Sequence, residues 1–262
     1  MPRKTVPEIK AAKNKEPLVV LTCYTAMMAK ILDKYVDILL VGDSLGMVVY
    51  GMESTLPVTL DMMINHGRAV VKASAGALVV IDMPFGSYQP SRKTAFEKAA
   101  RVMRETGCQA VKLEGGLEMR ETVQYLVERG IPVMAHIGLM PQSINNIGGY
   151  KFQGRTAEER EKLKRDALAL QQAGAFSIVI EAVAEAAARE ITESLEIPTI
   201  GIGASGKCDG QVLVVDDMLG LSLSVPKFVK KFADLTGEIE KATASYAHAV
   251  KSRQFPGQGH LY

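Results

Sequence analysis

Five apolar runs of strand length in this sequence stop at an ionisable side chain. Ile38 to Gly42 lead into Asp43 and Ser44, Leu78 to Ile81 into Asp82, and Val111 to Leu113 into Glu114; two further runs close on His136 and Glu181. Any one of these is an ordinary loop entry or helix cap. Five together point to one site, because parallel strands deliver the residues at their C-terminal ends to the same edge. Asp43, Asp82 and Glu114 would face one another there, and like charges at close range need a proton or a cation between them. A cation is the simpler expectation. All-oxygen donors with no Cys or His pair nearby suit a hard ion, magnesium rather than zinc.

Lys112 stands two residues before Glu114, so strand alternation turns both to one face. It is placed either to pair with a substrate carboxylate or to neutralise Glu114. Glu181 comes from a strand well round the sheet from the three acids and is left as a general base. A base, together with a cation to hold a developing enolate oxygen, is what proton removal beside a carbonyl requires.

These residues need a frame. Apolar runs alternate with amphipathic stretches through most of the chain, the rhythm of repeated βα units. Strands are expected over 18–22, 37–42, 77–82, 110–114, 132–136, 176–181, 198–202 and 211–215. Helices are expected over 60–74, 91–106, 117–129, 157–173 and 184–194, with a final one over 226–251. Ser91 and Thr156 are N-cap residues, and Gly107, Gly130 and Gly174 come directly after helix ends, where a left-handed residue is wanted. Eight units favour a closed α/β structure, a single (β/α)8 TIM barrel over residues 1–262, above an open doubly wound sheet. The length of 262 residues agrees with that, and no linker divides the chain.

Composition narrows the ligand. Hydrophobic residues make up 47% and charged residues 23%, and the formal charge of +2 is spread along the chain, so no basic patch marks nucleic acid or an anionic membrane. The absence of a long apolar run predicts no membrane span, and the basic start carries Glu8 and Glu16, unlike a secretory signal. Cys23, Cys108 and Cys208 read as unpaired core or loop thiols of a reducing compartment, so a cytoplasmic location is expected. Gly201, Gly203 and Gly206 spell G-x-G-x-x-G, but the chain continues Lys207-Cys208-Asp209-Gly210-Gln211, which is not a helical pattern, so a tight loop is expected. Met27, Met28, Met62 and Met103 read as core filling. The segment 137–155, with Gly148 and Gly149, is long enough to cover a pocket.

The chain resembles the ketopantoate hydroxymethyltransferase family nearly end to end. The resemblance rests on Val41-Gly42-Asp43-Ser44-Leu45-Gly46, Thr55-Leu56-Pro57-Val58-Thr59-Leu60, Asp82-Met83-Pro84-Phe85 and Val111-Lys112-Leu113-Glu114-Gly115-Gly116. It continues through His136-Ile137-Gly138-Leu139, Pro141-Gln142-Ser143, Gly148-Gly149-Tyr150-Lys151 and Gly201-Ile202-Gly203. It implies a barrel with one Mg2+ per subunit among Asp43, Asp82 and Glu114, and a substrate pocket of Asp43, Ser44, Asp82, Lys112 and His136. It further implies Ser44 and Lys112 on the substrate carboxylate, His136 as a pocket hydrogen-bonder and Glu181 as the base. The implied substrates are 3-methyl-2-oxobutanoate and the folate 5,10-methylenetetrahydrofolate; the implied assembly is a homo-oligomer, typically a decamer. Thr25, Ser205 and Asp216 depart from the family pattern, where Asp, Gly and His are usual. Two alternatives stay open: the phosphoenolpyruvate mutase and isocitrate lyase group, which usually relies on a loop Cys and for which Cys208 is the sole candidate, and a non-catalytic barrel.

Overall fold

A computed structural model describes residues 2–147, 149, 152–222 and 224–262. Eight parallel strands close into a barrel in sequence order. They are β1 (Leu18–Thr22), β2 (Ile38–Val41), β3 (Leu78–Asp82), β4 (Ala110–Glu114), β5 (Val133–Gly138), β6 (Ser177–Glu181), β7 (Thr199–Ile202) and β8 (Gly210–Leu213). β8 pairs back onto β1, with Leu18 opposite Gly210. Every residue of β2 to β5 is buried, which is why those strands read as unbroken apolar runs rather than as alternating ones. Inside, Val20, Ile38, Leu40, Leu78, Val80, Met134, Val179 and Ile200 form the core, joined by Ile9 from the helix Val6–Lys10.

The helices begin and end where local chemistry dictates. Ser91 accepts the Thr94 N–H ahead of Arg92–Thr106, and Thr156 accepts the Glu159 N–H ahead of Ala157–Gln172. Gly107, Gly130 and Gly174 hold φ of 76°, 83° and 95°. The expected helix 117–129 is a 3-10 turn, Leu117–Met119, running into Arg120–Val127. Thr25 still caps Ala26–Leu32 through Met28 N. No helix of the described residues is long and apolar enough to cross a membrane.

Several expectations need correction. β5 runs two residues past His136, because Ile137 and Gly138 pair with Ile180 and Glu181. The last strand ends at Leu213, and Val215–Leu219 is helical. The final helix is Leu235–Lys251 rather than 226–251: the Phe232 N–H bonds to Met218 O instead of continuing a helix, and Asp234 caps the helix through Gly237 N. Met27 is 72% exposed and Met28, Met62 and Met103 are half-buried, whereas Met63, Met83 and Met134 fill the core. Helix Ala26–Leu32 is short and turns Ala29 and Leu32 inward, which leaves Met27 on its outer face. The glycine triplet leads through turns into β8, as expected for a tight loop.

The chain divides into two compact units, Met1–Val214 and Val215–Tyr262. The first contains all eight strands. In the second, Thr236 Oγ1 donates to Gly220 O at 2.7 Å, and the rings of Tyr246 and Phe255 meet edge-on at 5.6 Å.

Candidate active site

The parallel register sets the expected residues side by side at the C-terminal mouth. Asp82 pairs with Lys112 across β3 and β4, Glu114 with His136 across β4 and β5, and Gly138 with Glu181 across β5 and β6. Asp43 follows β2 after Gly42, and its N–H donates to Asp82 Oδ2 at 3.1 Å. Asp43, Asp82, Lys112, Glu114 and His136 are each no more than 5% exposed, while the Glu181 side chain keeps 16% of its surface open. All six expected ionisable residues therefore share one site, and Glu181 is its most open member.

Lys112 Nζ is 3.1 Å from Asp82 Oδ1 and 3.3 Å from His136 Nδ1. On the far side of the ring, His136 Nε2 is 3.3 Å from Glu181 Oε2, at an angle short of a hydrogen bond. Burial works against the Lys112 charge, but Asp82, Glu114 and Asp43 outweigh it and raise its pKa. An ammonium is only a donor, so His136 Nδ1 must accept, and the ring proton sits on Nε2, facing Glu181. Burial, and then Lys112, push the His136 pKa down, which keeps the ring neutral.

The acids feel the same enclosure. Burial, and then the Asp82 charge, raise Asp43 to about 7. Glu114 is pushed well above the ordinary carboxylate range, mainly by burial. Asp82 Oδ1 is buried and accepts no hydrogen bond among the described residues; Lys112 meets it only as an ion pair.

These donors suit a hard divalent cation. Two nearby aspartates of oxygen-only chemistry, one with a buried oxygen that accepts no hydrogen bond and the other raised by burial and then by its neighbour's charge, would be relieved by an ion that keeps room for water and substrate. Among the described residues, no three His, Cys, Asp or Glu side chains are already gathered into a finished metal cage. Each like charge has a partner of its own: Asp82 has Lys112, Asp43 has Gln142, and Glu114 accepts the Gln142 N–H at 3.1 Å beside His136.

Ser44 starts the helix Leu45–Val48 without spending its hydroxyl on a cap, and Tyr24 OH lies 2.8 Å from Ser44 Oγ. A Cβ at Gly42 would fall 2.8 Å from Ser44 Oγ and turn that hydroxyl aside. At the other wall, Gly138 holds φ of 95°, and a Cβ on it would fall 2.3 Å from Glu181 O. Ala182, directly after Glu181, adopts φ of 46° although it is not glycine, so the backbone at the expected base is tightly constrained. Gln153 bridges to Val183 and anchors the long segment after β5 onto this exit. Within that segment, Gly148, Tyr150 and Lys151 lie outside the described residues.

Sequence reasoning missed Gln142 and Tyr88. Gln142 is buried and donates Nε2 to Asp43 Oδ2 at 2.8 Å, and Tyr88 OH donates to Gln142 Oε1 at 2.7 Å. The only signal was the Pro141-Gln142-Ser143 block, which carries the resemblance without assigning the amide a task. Cys208, in contrast, lies beside Thr192 Oγ1, which in turn contacts Thr199 at the start of β7, the end of the barrel opposite the acids. It is not in the mouth. Ser205 is buried and bonds to Glu185 Oε1 at 3.0 Å.

A closed parallel barrel with a buried Lys-His-acid cluster at its C-terminal mouth defines the class: an α/β barrel that gathers its ionisable side chains at the strand ends. The family model of ketopantoate hydroxymethyltransferase matches residues 3–258, and the chain belongs to that family. It is 59% identical over 261 residues to a 3-methyl-2-oxobutanoate hydroxymethyltransferase of Paramagnetospirillum magneticum and 60% identical to one of Bordetella petrii. Each match covers 99% of this chain and 95% of the relative. Among solved structures the fold is similar to phosphonopyruvate hydrolase with oxalate and Mg++ (TM-score 0.62, 10% identity, 99% of this chain and 92% of that one). It is also similar to 2,3-dimethylmalate lyase (TM-score 0.53, 17% identity, 100% and 91%). At such identities the likeness is one of fold alone.

Proposed function

We propose that this chain transfers a one-carbon unit from 5,10-methylenetetrahydrofolate to 3-methyl-2-oxobutanoate, giving 2-dehydropantoate. The observation that carries the reading is the position of Lys112, a charged lysine buried beside Asp82 and one imidazole away from the partly open Glu181. The substrate's carboxylate takes Lys112 and Ser44 as partners. Glu181 removes the proton from C3, and His136 Nε2–H steadies the carboxylate that does so. The C3 carbanion bonds to the folate methylene carbon as the first C–N bond of the bridge breaks and its nitrogen takes up the proton removed from C3. Water then displaces the second nitrogen, leaving its hydroxyl on the carbon and its other proton on the departing tetrahydrofolate. Asp43 and Asp82, with Glu114, would hold one magnesium ion, which draws electron density from the ketone and acidifies C3.

The test is mass spectrometry of purified enzyme with both substrates and magnesium. Formation of 2-dehydropantoate that is lost in Asp82→Asn supports the reading; no product under any divalent cation sinks it.

A further inference from the structure

We infer that Tyr88 and Gln142 are a positioning pair that fixes Asp43 and Glu114 for the cation, an inference that rests on the function proposed above. Gln142 lies in the 3-10 turn Pro141–Ser143 after β5 and is 4% exposed. Its amide is committed at every atom: Nε2 donates to Asp43 Oδ2 at 2.8 Å and to Met83 O at 2.9 Å, while Oε1 accepts from Tyr88 OH at 2.7 Å and from Gln89 Nε2 at 3.3 Å. Its own N–H donates to Glu114 Oε2 at 3.1 Å. Tyr88, 1% exposed, accepts the Glu114 N–H at 3.2 Å through the same hydroxyl that orients the amide.

The amide cannot be reversed. A flip would set Oε1 at 2.9 Å from Met83 O, a carbonyl with no proton to offer. One residue thus engages acids delivered by two different strand ends, β2 and β4, and sets where each carboxylate points. It does so with neutral donors. A lysine in this place would quench the charge, whereas an amide holds one oxygen of Asp43 and one of Glu114 and leaves their negative charge for a cation. Partners that orient metal-binding side chains typically account for 10–100-fold in affinity.

The experiment is a titration with Mn2+ alone, monitored by the electron paramagnetic resonance of the free ion, on the full chain and on the Tyr88→Phe, Gln142→Met and double variants, with thermal unfolding alongside. Each variant is expected to raise the Mn2+ dissociation constant about tenfold or more. In turnover, the cation concentration for half-maximal rate should rise more than kcat falls. The double variant should weaken binding by less than the two single effects combined, because Tyr88 acts in part through the amide. If Tyr88→Phe and Gln142→Met bind Mn2+ like the parent and merely unfold at lower temperature, the pair is packing and the inference is overturned. If the parent itself binds no Mn2+, the metal role proposed above fails first and takes this inference with it.

Discussion

His136 Nε2 lies 3.3 Å from Glu181 Oε2, and Lys112 Nζ lies 3.3 Å from Nδ1 on the other side of the ring, so an ammonium at Nδ1 turns the ring proton toward Glu181. Glu181 is thereby faced by a neutral donor, not by a second cation. Nitrogen NMR of labelled protein is expected to show His136 with Nε2 protonated and Nδ1 bare. Burial and then Lys112 hold its folded pKa below the ordinary 6.5. The imidazole's contribution to stability is therefore complete above pH 6.5 and is lost as pH falls through the lower folded value. An imidazolium signal at pH 7 would contradict the assignment.

Lys112 offsets three buried acids. Lys112→Met would leave Asp82 and Glu114 enclosed without their cation, a change of about 3–5 kcal/mol against folding. Urea denaturation at pH 7 measures it. The loss should shrink on acidification, because the raised Glu114 pKa lets that group take up a proton in the folded state first. A variant as stable as the parent at pH 7 would mean that the cluster carries little net charge.

Gly138→Ala tests the wall behind Glu181. At φ of 95°, with a Cβ only 2.3 Å from Glu181 O, alanine must push the Glu181 backbone aside and adopt a strained conformation, at a cost of about 1–3 kcal/mol. Lower kcat together with a lower unfolding temperature is expected. Unchanged kcat would show that Glu181 does not depend on this contact.

Much of this site was legible before the fold was known. Buried parallel strands leave unbroken apolar runs, so the charged residue that ends each run stands out, and Asp43, Asp82, Glu114, His136 and Glu181 were found that way. What remained hidden depends on contacts between distant segments. Gln142 looks like an ordinary loop amide, and its task exists only once the turn after β5 folds back on Asp43, 99 positions earlier in the chain. Glycine C-caps and Ser or Thr N-caps fixed helix boundaries well because they are local. The stretch before Leu235 misled because a helical pattern of Phe and Lys cannot report that Phe232 N–H has found Met218 O instead.

The most direct measurement is proton NMR of 3-methyl-2-oxobutanoate in heavy water with enzyme and magnesium but no folate, tracking the C3 proton, with a chelated control and Glu181→Gln in parallel. Metal-dependent loss of that signal is expected in the parent, with a rate reduced about 10²–10⁴-fold in Glu181→Gln, the range for removing a general base. Exchange as fast in Glu181→Gln as in the parent, or none in the parent even with tetrahydrofolate added, would contradict proton removal by Glu181.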